Sequence, residues 1–251
     1  MINDMIRVEH LSNEVFTLKK QSIIDKILWA VGIILICGGI GSMIFNSNYV
    51  QSRVISHNQE KVAKRISPKT IKQNQKNSGN FNASATKEAT GGTVLKNQIN
   101  SGHIPAIGLM SVPKYHIYNP ILNGYGDSNG SYLALGACTM FANEKMGQGN
   151  YALAGHHMKS NTIFHSLGKV KNGDKVYTTD MNKIYVYQVY SNKIVNRTEM
   201  QVFYPPKDGK PMITMITCTS LAETPYRDCV QGTLVNTLPA TQSNLKKYFQ
   251  Y

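Results

Sequence analysis

The chain has 251 residues, of which 41% are hydrophobic and 16% are charged, a composition that fits one good-sized domain with an appendage. This many polar residues exclude a membrane transporter with several spans. The formal net charge of +13 favours partners that carry phosphate, such as lipid headgroups, wall polymers or nucleic acid, without choosing among them. Four cysteines in so long a chain exclude a small disulfide-stapled protein, so each thiol is a candidate nucleophile, metal ligand or core residue.

A run of 19 uncharged residues, 27–45, follows a leader at 1–26 in which basic and acidic residues balance. As a helix this run would be roughly 28 Å long, enough to cross the hydrocarbon core of a bilayer. Polar flanks argue against a buried core helix, and the length of the run argues against a cleaved signal peptide. We therefore predict an uncleaved membrane anchor at 27–45. Basic residues lie on both sides of it, so the positive-inside rule leaves its orientation open.

Residues 46–100 carry nine basic and two acidic side chains and are rich in Asn, Gln, Ser and Thr. Their few apolar side chains would not offset the entropy lost on ordering, so the composition predicts a basic polar tether. As a flexible coil this tether would reach roughly 40 Å. A short helix at 49–66 is compatible with the helical spacing of the apolar residues there.

From residue 101 onward, short apolar runs alternate with turn residues, a pattern typical of an all-β domain. Strands are predicted at 104–112, 132–135, 151–154, 175–178, 184–194, 212–217 and 230–235. Only the stretches at 162–167 and 241–248 favour short helices. Residues 101–251 are therefore expected to form a β-barrel or a β-sandwich of about 150 residues.

Cys218 is the candidate nucleophile, because it closes the apolar run at 212–217. A thiol at the end of a strand is held by the sheet and is still open to a cleft. Near neutral pH an imidazole can take the proton of such a thiol and later return it. His156 is the best candidate for this base because it follows the predicted strand at 151–154. Its neighbour His157 remains the alternative.

Arg227 is the candidate for stabilising the negative oxygen of a tetrahedral intermediate. It comes nine residues after Cys218, beyond one turn, and it opens the last predicted strand. Its guanidinium stays charged and has five donors, which can also hold substrate carbonyls. Two further cysteines, Cys138 and Cys229, are predicted to be packing residues.

Three motifs in this order resemble the sortases, the cysteine transpeptidases of Gram-positive cell surfaces. The sequence TMITC at 214–218 is similar to their Thr-Leu-x-Thr-Cys signature, with Met215 in place of leucine, a substitution that conserves volume. The sequence MGQGNYALAGHH at 146–157 resembles the segment around their catalytic histidine, and Arg227 lies where the family keeps its arginine. The resemblance covers roughly residues 100–240 and is closest to class A. It implies an all-β fold, a closed barrel of about eight strands with short helices, preceded by one transmembrane helix.

The resemblance also implies a reaction. Cys218 would attack the Thr-Gly bond of a Leu-Pro-x-Thr-Gly sorting signal and form a thioacyl enzyme, with His156 as acid and base and Arg227 on the substrate or the oxyanion. An amine of a lipid-linked peptidoglycan precursor would then resolve this intermediate, so that a surface protein becomes linked to the wall. The positions that match the peptide groove of the family are Ala154, Thr214, Ile216 and Thr217.

Both substrates lie at the outer face of the membrane, which implies how the chain is arranged there. A cytoplasmic leader at 1–26, an anchor at 27–45 and a tether at 46–100 would precede an extracellular catalytic domain at 101–251. The expected partners are surface protein precursors, the lipid-linked precursor and the cell membrane, and not nucleic acid. No cofactor is expected. No metal is expected either, because only Glu144 lies in the stretch where calcium-binding relatives have several acidic groups.

Two other classes of protein are compatible with parts of this sequence. A membrane-tethered, non-catalytic module would bind an anionic cell-wall polymer through its basic segment, with Cys218 structural, and high salt would abolish its binding. A papain-like hydrolase would place its cysteine on a helix ahead of the histidine. The order here is His, Cys, Arg on β structure, which argues against the hydrolase.

Overall fold

A computed structural model of the chain describes residues 2–45, 47–76, 79–83, 86, 104–126, 131–222 and 224–249. The chain divides into two compact units, Met1–Ser47 and Asn48–Tyr251. The first unit is a single helix, and the second is a β-barrel with short helices packed on it.

The first unit is the helix α1, Ile2–Phe45. It contains one stretch that is long and apolar enough to cross a membrane, Ile23–Met43, with a mean hydropathy of 2.1. Its large apolar side chains are exposed, with Trp29 at 75%, as a helix surrounded by lipid requires. The stretch fits a single-pass membrane anchor. The helix begins well before residue 27, so the polar leader is a continuation of the anchor helix.

The second unit is built on eight strands that close into a barrel. The strands are β1 (Ala106–Val112), β2 (Ile117–Leu122), β3 (Ala137–Thr139), β4 (Asn150–Ala154), β5 (Lys175–Thr179), β6 (Lys183–Asn196), β7 (Met212–Cys218) and β8 (Tyr226–Pro239). Around the barrel they follow the order β1-β2-β3-β4-β7-β8-β6-β5, and β5 pairs with β1. The pairs β2 with β3 and β4 with β7 are parallel, and the others are antiparallel. The predicted closed barrel of eight strands with short helices is confirmed.

Two of these strands, β2 and β3, have no counterpart in the sequence prediction. β2 carries Asn119 and Pro120 in its middle, two residues that are depleted in strands. β3 has only three residues, too few to show an alternating pattern. Both strands therefore depend on pairing with their neighbours in the barrel rather than on local propensity.

Among the shorter predicted elements, two are wrong and the C-terminal helix is confirmed. The strand expected at 132–135 is a 3-10 turn, Ser131–Ala134. The helix expected at 162–167 is a series of turns that leads into a second 3-10 turn, Leu167–Lys169. Short apolar runs do not distinguish a strand from a buried turn by periodicity alone. The predicted C-terminal helix is confirmed as α4, Gln242–Tyr248.

The largest apolar cluster takes alternate residues from the strands that carry the candidate site. Tyr151 and Leu153 of β4 belong to it, together with Ile213 and Met215 of β7. All four side chains are almost completely buried. Because successive side chains of a strand point to opposite faces, the residues between them lie on the other face of the same strands. That other face carries the candidate active site.

Residues 48–74, predicted to belong to a polar tether, form two helices that pack on the barrel. α2 spans Asn48–Ala63 and α3 spans Pro68–Asn74. The buried apolar side chains of the two helices and of the short connection between them are Ile55, Val62, Ala63, Ile66 and Ile71. A flexible tether is therefore wrong for this stretch, because its few apolar residues lie on the side of the helices that packs on the barrel. The short helix considered at 49–66 matches α2. The later part of the predicted tether, 87–100, lies outside the described residues.

The second of these helices begins with a local sequence signal. Oγ of Ser67 accepts a hydrogen bond from the amide of Thr70 at 3.2 Å, and Oγ1 of Thr70 accepts one from the amide of Ser67 at 2.9 Å. This reciprocal pair satisfies amides that the first turn of a helix leaves free. At the other end, Nδ2 of Asn74 donates to the carbonyl of Ala106 at 2.8 Å, which ties α3 to β1.

The packing of α2 predicts a stability effect that a flexible tether would not show. Ile55→Ala is expected to lower the free energy of unfolding by about 2–4 kcal/mol, because this side chain is 1% exposed and belongs to the largest core cluster. His57→Ala, on the exposed side of the same helix, should change it by less than about 0.5 kcal/mol. Denaturant unfolding of both variants measures the difference. Two equally small effects would show that residue 55 is not part of the core.

Candidate active site

The three predicted catalytic residues come from the ends of neighbouring strands. β4 and β7 run parallel, with Ala154 opposite Ile216 as their last pair. His156 follows two residues after Ala154, and its amide donates to the carbonyl of Leu133 at 3.1 Å. β7 and β8 run antiparallel with Cys218 opposite Arg227. The partly exposed thiol of Cys218 and the side chain of Arg227 therefore lie on one face of the sheet, and His156 lies just beyond the paired end of β4.

The strand that carries the thiol also holds the end of the strand that carries His156. The amide of Gly155 donates to the carbonyl of Ile216 at 3.3 Å. The hydroxyl of Thr217 donates to the carbonyl of Gly155 at 2.8 Å. A Cβ atom at position 155 would stand only 2.8 Å from the ring of Phe164, so a larger residue would displace this segment. The position of the histidine is therefore set by contacts on both sides of Gly155.

His157 is directed to a different part of the site. Its ring lies 5.3 Å, centroid to centroid, from the ring of His165, and among the described residues its buried Nδ1 has no hydrogen-bond partner. Burial and the nearby His165 lower the pKa of His157, and Asp228 opposes this shift. The lowered pKa keeps His157 neutral at neutral pH. That His156 rather than His157 is the catalytic base stays a prediction.

Arg227 is partly buried at the start of β8, opposite the thiol. Its Nη1 donates to the carbonyl of Thr224 at 2.6 Å and to the carbonyl of Tyr226 at 2.9 Å. These bonds hold the guanidinium at the strand end. A fixed cation beside a nucleophile stabilises the negative charge that develops when the nucleophile adds to a carbonyl group.

An apolar surface continues from the thiol along the same sheet face. Ala154, Ile216 and Cys229 form the next row across the three strands. They pack with Val202 and Phe203, which come from the segment between β6 and β7. The predicted groove positions Ala154 and Ile216 therefore lie on one surface next to Cys218. Ile216 and Cys229 are buried in this cluster and Ala154 is partly buried, so a role of this row in binding a peptide stays a prediction.

The other two predicted groove residues, Thr214 and Thr217, are buried, and that they line the peptide groove stays a prediction. Oγ1 of Thr214 lies 2.8 Å from Oδ1 of Asn150 and 3.2 Å from the carbonyl oxygen of Val202. Nε2 of Gln231 donates to the same carbonyl at 2.9 Å. Thr214 thus helps to hold the segment that covers the apolar row, and Thr217 holds the end of β4. Sequence reasoning does not single out Asn150 or Gln231, because their contacts are all with residues distant in the chain.

The remaining thiols match the packing roles predicted for them. Cys138 and Cys229 are buried and free. Burial raises the pKa of Cys229 to about 11 and the pKa of Cys138 well above its ordinary value. Both are therefore protonated at neutral pH, and neither is suited to be a nucleophile.

The described part of the chain contains no group of three His, Cys, Asp or Glu residues placed to hold a metal ion. Glu144, the acidic residue singled out from the sequence, forms hydrogen bonds within the barrel unit. Its carboxylate accepts hydrogen bonds from the amides of Ala152 at 2.9 Å and Phe141 at 3.3 Å. It therefore fastens the segment before β4 to that strand. That the protein needs no metal stays a prediction.

Glu144 also predicts how stability depends on pH. Burial raises the pKa of the Glu144 carboxyl group from 4.5 to about 7. The folded state therefore holds the carboxyl proton more tightly than the unfolded state does. The free energy of unfolding should then fall as pH rises between these two values, by on the order of 1–3 kcal/mol from this group. Glu144→Gln, which cannot ionise, should remove that part of the slope. Denaturant unfolding across this pH range tests it, and equal slopes in both proteins would contradict it.

Comparisons with known proteins agree with this arrangement. A family model described as the sortase domain matches residues 110–235. Sortase A of Listeria monocytogenes is 32% identical over 212 residues, which are 84% of this chain and 93% of the relative. Sortase A of Streptococcus agalactiae is 32% identical over 207 residues, which are 80% of this chain and 82% of the relative. The structure of Listeria monocytogenes sortase A matches with a TM-score of 0.54 and 36% identity, over 58% of this chain and 98% of that chain.

The family model spans the strands that position His156, Cys218 and Arg227. The two relatives extend the match over most of the chain, and the solved structure shares its fold. The resemblance first indicated by three short motifs is thereby confirmed. This chain belongs to the sortase family, the cysteine transpeptidases that anchor surface proteins.

Proposed function

We propose that this sortase cleaves the Thr-Gly bond of Leu-Pro-x-Thr-Gly sorting signals and transfers the surface protein to an amine of a lipid-linked peptidoglycan precursor. The observation that supports this proposal is the pairing of Cys218 with Arg227 at the ends of β7 and β8, with His156 two residues past the paired end of β4. A base, a nucleophile and a cation at one end of a sheet are the groups that acyl transfer needs. The apolar row beside them suits the leucine and proline of the signal.

The first half of the proposed reaction forms a thioester. The proton of the Cys218 thiol passes to His156, and the thiolate attacks the carbonyl carbon of the threonine. Arg227 stabilises the negative oxygen of the tetrahedral intermediate. The carbon–nitrogen bond then breaks, and His156 gives its proton to the departing glycine amine. The surface protein is left attached to Cys218 through its threonine carbonyl.

The second half transfers the acyl group to the acceptor. The neutral acceptor amine attacks the thioester carbon, and His156 takes a proton from the attacking nitrogen. The carbon–sulfur bond breaks, and the proton held by His156 returns to the thiol of Cys218. The product is an amide, and the enzyme regains its starting state.

The membrane arrangement that we propose places the N-terminus in the cytoplasm and the barrel outside. The candidate span ends at Met43 and α2 begins at Asn48, so only a short piece of chain separates the span from the catalytic unit. This keeps the active site near the membrane, where a lipid-linked acceptor is held. The catalytic unit then includes α2 and α3 together with the domain predicted at 101–251.

A transpeptidation assay tests the proposal. The full chain in detergent micelles is incubated with a Leu-Pro-x-Thr-Gly peptide and an amine nucleophile, and mass spectrometry follows the amide product. We expect product from this peptide and none from a peptide with the same residues in scrambled order. A chain that forms no product but binds anionic wall polymer in a salt-sensitive way would instead be a non-catalytic tethered module.

A further inference from the structure

We propose that Gln59, on the helix that follows the membrane span, is a positioning residue for the active-site histidine segment. It acts through Asn119 of β2 on the backbone of Ile163, in the loop that follows His156. The effect on catalysis rests on the function proposed above. The effect on the loop itself is independent of that function and is tested separately.

Ile163 has a backbone conformation that requires outside support. Its φ angle is +55°, in the left-handed region, which a β-branched residue rarely adopts. Such a conformation costs on the order of 1–3 kcal/mol and persists only where the surrounding structure imposes it. The loop at 157–163 is therefore held in a shape that Ile163 would leave if the contacts around it were removed.

A buried series of hydrogen bonds supplies this support from α2. Nε2 of Gln59 donates to Oδ1 of Asn119 at 2.8 Å, and also to the carbonyl of Leu135 at 2.8 Å. Nδ2 of Asn119 donates to the carbonyl of Ile163 at 3.2 Å. Gln59 is 6% exposed and Asn119 is 0% exposed. Since water does not compete for these bonds, removing one partner leaves a buried polar group unpaired.

Packing and hydrogen bonds both hold Ile163. Its side chain is 3% exposed and belongs to the largest core cluster. A cavity of about 390 Å³ lies between α2 and the loop, and it is bordered by both Gln59 and Ile163. The hydrogen bonds of Gln59 and Asn119 connect α2 to the backbone of the loop beside this cavity.

The supported residue is in direct contact with the histidine segment. Ile163 pairs with His157 as an isolated β-bridge, and a Cβ atom at Gly155 would stand 2.9 Å from its side chain. The next amide, that of Phe164, donates to the carbonyl of His156 at 3.4 Å. A relaxation at Ile163 would thus displace the backbone that sets the imidazole beside the thiol.

The first test compares Gln59→Ala with Gln51→Ala, which removes the same side chain from a less buried position on α2. In the full chain, hydrogen exchange of residues 156–164 should become at least about tenfold faster in Gln59→Ala and stay unchanged in Gln51→Ala. In the transpeptidation assay, kcat should fall about tenfold in Gln59→Ala with KM changed by less than about twofold. Unchanged exchange of 156–164 in Gln59→Ala would overturn the proposal, even if the enzyme proves inactive on the sorting peptide.

A double-mutant cycle separates support of the loop by Gln59 through Asn119 from a general loss of stability. If Gln59 acts through Asn119, the variant with both Gln59→Ala and Asn119→Ala should lose no more kcat than Asn119→Ala alone. In the same cycle with Gln51→Ala in place of Gln59→Ala, the losses of kcat in the two single variants should add. Additive losses for Gln59 and Asn119, or faster exchange spread evenly over the barrel, would show that Gln59 only stabilises the fold. If neither the unaltered chain nor any variant were active, the proposed function would be rejected. The hydrogen-exchange measurement would then decide by itself whether Gln59 supports the loop through Asn119.

Discussion

Cys218→Ala is expected to abolish formation of the amide product, with a loss of at least about a thousandfold. The side chain at 218 forms the covalent bond to the substrate, and no other group at the strand end can replace it. The thioacyl intermediate should also disappear. Incubation with the sorting peptide in the absence of an amine, followed by intact-protein mass spectrometry, detects that intermediate as an added mass on the unaltered chain.

Cys229→Ala provides the matched control, because Cys229 lies in the next row of the same sheet face. Its burial and raised pKa keep it protonated, so its removal should leave the rate within about threefold and mainly lower stability. If Cys218→Ala still joined peptides, or if Cys229→Ala were equally inactive, the assignment of the nucleophile would be wrong.

His156→Ala is expected to reduce the rate by about 10²- to 10⁴-fold, the usual contribution of a positioned general acid and base. It follows two residues after the last pair of β4 with β7, at the end of the sheet where Cys218 lies opposite Arg227. Both half-reactions move a proton through this imidazole, so acylation and transfer should slow together. Single-turnover measurements of thioester formation and of its decay with added amine report the two steps separately.

His157→Ala is the control for the histidine. Its partly buried ring packs beside the ring of His165, so its removal should loosen this segment without removing the proton acceptor. The expected loss is less than about tenfold. A larger loss in His157→Ala than in His156→Ala would exchange the roles of the two histidines.

Several features of the site follow from short stretches of sequence. Cys218 and His156 each end an apolar run, and the end of such a run marks the end of a strand. Strand alternation then indicates that Ile216 and Cys218 share a face. These features are predictable because the residues that decide a strand and its end lie within a few positions of one another.

The helices after the membrane span show where this kind of reasoning fails. Average composition between residues 46 and 100 is polar and basic, and it conceals the few apolar residues that recur on one face. Ile55 is buried because it packs against residues of barrel strands that come much later in the chain. A composition average contains no information about that surface.

By itself, the sequence determined the membrane span, the all-β character of the domain, and the thiol, imidazole and guanidinium proposed to act together. The tertiary structure decided that β4, β7 and β8 are neighbours, that Thr214 and Thr217 bond internally, and that Gln59 supports the histidine loop. The physical reason is that periodicity and strand ends are local properties. Strand pairing, register and buried hydrogen bonds join residues distant in the chain, and only the folded barrel brings those residues within reach of one another.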